Sequence, residues 1–180
     1  MPRTEYEIVR EVAAGREDVY AAWTETERFA RWFGPRMLTT PVERVSLDVR
    51  PGGRWRAVLV GEEGFEAVLR GRYRQVDAPA RLVFTTGDPD HPGGEPAFLT
   101  TLTLEGRGAR TLMRFHQHGV NADAEHVARV RAGWLEFFDR LDEYLSVQTA
   151  AGSTGAPAGE GSDAGHRDAR SSNVSPRPRT

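Results

Sequence analysis

Between Ala122 and Val147 the chain repeats apolar residues at the spacing of one helix face: Val127, Val130, Trp134, Phe137, Phe138, Leu141, Tyr144 and Leu145. Arg129, Glu136, Asp139, Arg140, Asp142 and Glu143 fall mostly away from that stripe. At about seven turns this is long for a globular helix. A stripe of this length must lie on an equally large apolar surface. The rest of the chain has to supply that surface, and the only one its pattern offers is the inner face of a sheet.

The preceding sequence alternates as half-buried strands do. Tyr6, Ile8 and Val12 alternate with Glu5, Glu7 and Glu11. Val45, Leu47 and Val49 alternate with Arg44, Ser46 and Asp48, and the RPGG turn at 50–53 follows. Trp55, Ala57 and Leu59 then alternate with Arg54, Arg56 and Val58; Phe65, Ala67, Leu69, Gly71 and Tyr73 alternate with Glu66, Val68, Arg70, Arg72 and Arg74. A turn at Ala78-Pro79 leads to a strand through Leu82 and Phe84. After the loop GDPDHPGGEP come FLTTLTLE and RTLMRFHQH, a hairpin about Gly106-Arg107-Gly108. This pattern predicts an antiparallel sheet with one wet face.

Between the first strand and the others stands AAWTETERFARWFGP, residues 21–35. Gly15 opens a short helix carrying Val19, Tyr20 and Trp23. Thr24 and Glu27 have capping-box spacing and predict the start of a second, which Gly34-Pro35 must end. The expected fold is therefore α+β: a curved antiparallel sheet around a long C-terminal helix, with two short helices after the first strand closing one end.

The 180 residues contain no cysteine, which removes disulfides, thiolate zinc sites and thiol nucleophiles and fits a reducing cytoplasm. The formal net charge is −2, and all 24 basic residues are arginines, scattered among Glu and Asp; this predicts a mixed surface and no nucleic-acid partner. The amino terminus lacks a signal-peptide core, and no apolar run reaches the length of a membrane span. The expectation is a cytoplasmic protein. From about residue 148 Gly, Ala, Ser, Pro and charges dominate, so residues 1–147 are expected to form one domain and 148–180 a disordered tail.

The motifs AWTETERFARWFGP, PGGRW (51–55), GRYRQV (71–76), RLVFTT (81–86) and GWLEFFDRLDEYL (133–145), in that order, resemble the SRPBCC, or START-like, superfamily. Within it the chain is similar to the bacterial branch named after the C-terminal domain of the activator of the ninety-kilodalton heat-shock protein ATPase. The resemblance spans about residues 4–147. It implies a helix-grip fold with a hydrophobic cavity between sheet and helix, used by relatives for lipids, polyketides or other apolar molecules. Trp23, Trp32, Gly34, Pro35, Gly52, Gly53, Gly133 and Trp134 match its motif positions, which look structural. The resemblance supplies no catalytic residue.

Candidate lining residues of such a cavity are Trp32, Phe33, Trp55, Leu69, Tyr73, Phe84, Met113, Trp134 and Phe138. Gly133, inside the helix, marks either a close approach of the sheet or space left for a guest. His116 and His118 share a strand face, with His126 near the helix start, but Arg114 beside them opposes a cation, so no metal is expected. DPDH (88–91) reads as a solvated loop. The inward polar residues are expected to be Tyr6, Tyr73, Gln75 and threonines of 100–103, suited to orienting a ligand rather than to acid–base work. No nucleophile elbow or phosphate-binding glycine motif occurs. The expectation is a carrier or sensor of a small apolar ligand with no cofactor and no catalytic residues, with Trp32 and Phe33 as its lid. The rival readings are a cyclase or dehydratase using Tyr73 or a histidine, and a chaperone-binding module. The sequence leaves a homodimer open.

Overall fold

The structure, a computed structural model, describes residues 4–153. Seven strands form one antiparallel sheet in the order β1-β7-β6-β5-β4-β3-β2. They are β1 (Glu5–Val12), β2 (Val45–Leu47), β3 (Arg54–Val60), β4 (Glu66–Asp77), β5 (Arg81–Thr86), β6 (Ala97–Arg107) and β7 (Arg110–Val120). Two short helices, α1 (Arg16–Thr24) and α2 (Thr26–Trp32), follow β1, and α3 (Ala124–Ser153) ends the described chain. This is the antiparallel sheet around a long C-terminal helix that the alternating strands and the long stripe predict, and the helix-grip fold that the resemblance implies.

The two periodicities meet in one core. The inward residues of the strands, among them Ile8, Trp55, Phe84, Leu102, Met113 and Phe115, pack with Trp134, Phe138, Leu141 and Leu145 of α3. The Asp123 carboxylate caps α3 by accepting the His126 amide at 2.7 Å. The helix runs to Ser153, past the expected boundary near Val147, and Thr149 donates to the Ala13 carbonyl at 3.2 Å. The expectation of a disordered tail otherwise concerns 154–180, outside the described residues.

Four local expectations are corrected. Thr24 does not cap α2: it is the last residue of α1, and its hydroxyl donates back to the Tyr20 carbonyl at 2.8 Å. Glu25, with no side-chain cap, precedes α2 instead. Phe65 lies before β4 and is exposed, because the 3-10 turn at Glu62–Gly64 delays the strand. Gln75 points outward, bonding Asp77, because a bulge between Tyr73 and Gln75 shifts the side-chain alternation. The β6–β7 turn falls one step later than expected, with Arg107 pairing Arg110 around Gly108.

Candidate functional site

The end of α2 is shaped by Gly34. Its φ of 121° lies where a side chain is strained, and an added Cβ would come within 3.0 Å of Leu59. The chain can thus leave α2 sharply and press Phe33 into the core. The Thr40 hydroxyl donates to the Phe33 carbonyl. From α3, Arg140 reaches over the helix end and donates to the carbonyls of Gly34 at 3.0 Å, Pro35 at 3.1 Å and Leu38 at 3.4 Å. A cation at a helix C-terminus also suits the helix dipole. Burial, and then Arg36, pull the Arg140 pKa below the ordinary arginine value. Arg36 adds a second tie, its amide to Glu136 and its guanidinium to Glu143. The α2 segment is therefore a cover clasped to the long helix.

Beneath that cover lies a small hollow. Phe29 and Phe33 close it from α2, Trp23 from α1, and Trp55, Tyr73, Leu82 and Phe84 from strands β3 to β5. About 10 Å3 is open to the centre of a water-sized sphere, roughly what one water requires. Phe29 and Phe33 stack at 4.2 Å between centroids, and Trp55 meets Phe84 edge-on at 6.0 Å. The Trp23 indole N–H is buried with no hydrogen-bond partner. An unpaired buried donor costs about 1–3 kcal/mol, and Trp23 is one of the residues lining the hollow.

Of the nine candidate lining residues, Phe33, Trp55, Tyr73 and Phe84 meet around this hollow. Trp32 is fully buried behind it, its indole donating to the Ala22 carbonyl at 2.9 Å, so it anchors α2 to α1. Leu69 is half-buried on β4. Trp134 and Phe138 of α3 and Met113 of β7 are buried where the helix meets the sheet: Phe115 sits 4.6 Å from Trp134 and 5.0 Å from Phe138. The hollow thus lies against the short helices and not beneath Trp134 and Phe138. Trp23, Phe29 and Leu82 complete the wall; Trp23 and Phe29 were visible in the aromatic segment, and Leu82 as the inward neighbour of Phe84.

An added Cβ on Gly133 would meet nothing within 4 Å, so no strand approaches it closely. A buried polar chain crosses the sheet's inner face nearby: Tyr6 donates to Gln117, which donates to Thr100 at 2.8 Å. Gln117 shares the face of Met113 and Phe115, the signal that could have found it. Burial pushes both the Tyr6 and Tyr73 hydroxyls well above the ordinary tyrosine range. Each therefore stays protonated at neutral pH and suits orienting a ligand. His116 and His118 lie on the outer face, His116 beside Glu5 at 3.3 Å, while His126 stacks on Phe98. No group of three metal-ligating side chains forms among the described residues.

Residues 13–146 match the sequence model of the family described as activator of Hsp90 ATPase homolog 1-like protein. The chain belongs to this family. An AHSA1 protein from Silicibacter pomeroyi is 25% identical, with a TM-score of 0.67 over 80% of this chain and 99% of that one. A protein from Nitrosomonas europaea is 22% identical, with a TM-score of 0.69 over 82% and 97% of the two chains. An AHSA1-like protein from Aeromonas hydrophila is 22% identical, with a TM-score of 0.65 over 85% and 99%. No protein of curated function matches by sequence. AHSA1-like SRPBCC folds often bind hydrophobic ligands. Among the described residues, no helix is long and apolar enough to cross a membrane.

Proposed function

We propose that this AHSA1-like protein binds a small apolar molecule, ring-bearing and with one hydrogen-bond acceptor, as carrier or sensor. The site is the hollow beneath α2. The observation that carries this reading is an aromatic hollow closed by the short helices, whose lining includes Tyr73 and also Trp23, a residue with a buried indole N–H that has no partner. Ligand sites combine such a lining with a few placed polar groups. The hollow is water-sized as it stands, so binding requires Phe29 and Phe33 to move with α2. The Arg140 and Arg36 ties set how readily that happens.

The test is a thermal-shift screen of fatty acids, polycyclic aromatics and aromatic ketones on the natively purified protein, with mass spectrometry for a retained molecule. A ligand at a hundred times its dissociation constant stabilises by about 2.7 kcal/mol, or several degrees for a domain of this size. Leu82→Phe, which puts a ring into the hollow, should abolish the shift. If no compound shifts the wild type, or if the shift survives Leu82→Phe, the site is wrong.

A further inference from the structure

The outer face of the sheet carries a second and larger concavity. A trench of about 960 Å3 runs over β3 and β4 beside the β5–β6 loop. Arg54 and Arg56 of β3 and Arg70, Arg72 and Arg74 of β4 line it. The register sets Arg54 opposite Arg72 and Arg56 opposite Arg70. Like charges directly opposite one another on neighbouring strands destabilise a sheet. Several arginines elsewhere are answered by carboxylates: Arg10 by Asp139 and Asp142, Arg44 by Glu66, Arg110 by Glu11. In the trench only Arg74 is, by Asp90. The side chains of Arg54, Arg56, Arg70 and Arg72 make no ion pair with any described residue. A chain of formal net charge −2 thus concentrates on one exposed patch four guanidinium groups with no carboxylate at ion-pair distance. The sequence predicted scattered arginines, but strand pairing gathers these.

We propose that this trench binds a small phosphoryl-bearing anion, held by Arg54, Arg56, Arg70 and Arg72. The guanidinium fork matches phosphate oxygens two at a time and stays charged at every physiological pH. An anion between the strands turns two repelling pairs into a clamp. The trench volume falls within the range of small-molecule sites. Asp88 and Glu95 on the wall interrupt the positive surface along its length, so a compact anion seated on the four arginines is favoured over a long polyanion that must also cross them. The proposal is independent of the hollow beneath α2.

The test is calorimetric titration of the full chain with inorganic pyrophosphate at low ionic strength, where screening is weak. Two double variants, Arg54→Gln with Arg72→Gln and Arg56→Gln with Arg70→Gln, are compared with Arg129→Gln and Arg131→Gln on exposed positions of α3. Binding of one pyrophosphate per chain is expected, at least tenfold weaker in each trench variant and within twofold of wild type in the α3 variant. Without anion, the trench variants should melt no lower than wild type, because a repulsion has been removed. Vesicles of phosphatidylcholine with phosphatidic acid form a second arm. If they displace pyrophosphate, and the trench variants lose them too, the phosphoryl group belongs to a lipid headgroup; if they do not, it belongs to a soluble ligand. The proposal fails if pyrophosphate does not bind, if the α3 variant loses affinity as much as the trench variants, or if the trench variants melt several degrees lower. It also fails if a single-stranded oligonucleotide binds more tightly than pyrophosphate.

Discussion

Replacing Arg140 by Met tests whether α2 is a clasped cover. Met keeps an unbranched apolar stem against the helix but removes every donor. The guanidinium makes two well-placed bonds, at 3.0 and 3.1 Å, and a weaker one at 3.4 Å. Hydrogen bonds from a charged donor contribute about 1.5–3 kcal/mol each. Arg140 is only part-buried, and solvent screening reduces such values, so a total near 2 kcal/mol is the reasoned figure. The melting temperature should fall by about 4–8 °C. Opening of α2 should become about thirtyfold more frequent, since 1.4 kcal/mol is a factor of ten. The assay is hydrogen exchange at the Trp32 indole N–H, which is fully buried and bonded to Ala22. Exchange accelerated by less than about threefold, with no drop in melting temperature, would refute the clasp.

Three further outcomes are expected. Gly133→Ala should stabilise by about 0.5–1 kcal/mol in urea denaturation, since the added methyl meets nothing and glycine is a poor helix former; destabilisation would show that the space is needed. Gln117→Leu strands the Tyr6 and Thr100 hydroxyls and should cost about 2 kcal/mol, measured the same way; a neutral result would mean that the chain contributes little. The hydrogen bond from Arg36 lowers the Glu143 pKa from its usual 4.5. A depressed carboxylate stabilises above the unfolded value and loses that contribution as pH falls through the folded one. Glu143→Gln should therefore be less stable than wild type at pH 7 and equal to it well below 4.5; a gap persisting in acid would point to packing instead.

The long stripe and the two-residue alternation were enough to predict the sheet, the long helix and their contact, because both periods are local properties of the chain. Errors arose where one side chain or one extra residue broke the period. The Thr24 hydroxyl found the Tyr20 carbonyl before it could cap anything, and the bulge after Tyr73 turned Gln75 outward. The hollow was half legible. That Phe33, Trp55, Tyr73 and Phe84 are inward follows from pattern. That the space lies under α2, while Trp134 and Phe138 pack solidly on Phe115, depends on ring-to-ring distances set only in the folded core. The arginine trench shows the same division. RWR and RGRYR alternate visibly, but only the register of β3 on β4 makes them neighbours.

Trp55 and Tyr73 belong to the walls of both the hollow and the trench. β4 pairs with β5 only from Tyr73 onward, with a bulge between Tyr73 and Gln75. The Trp55 indole donates to the Thr85 carbonyl at 2.8 Å, and Thr85 in turn accepts the Arg72 amide on its hydroxyl at 3.0 Å. That carbonyl approaches so closely that a Cβ on Gly71 would stand 1.7 Å from it. Gly71 is therefore a steric requirement of this close approach, and strand alternation carries the arginines on either side of it outward while Trp55, opposite Gly71, turns inward. One layer of side chains separates the apolar space from the cationic one. The Arg140 clasp acts on the opposite wall, through α2. The two proposed sites thus lie on opposite faces and share only Trp55 and Tyr73 in their walls.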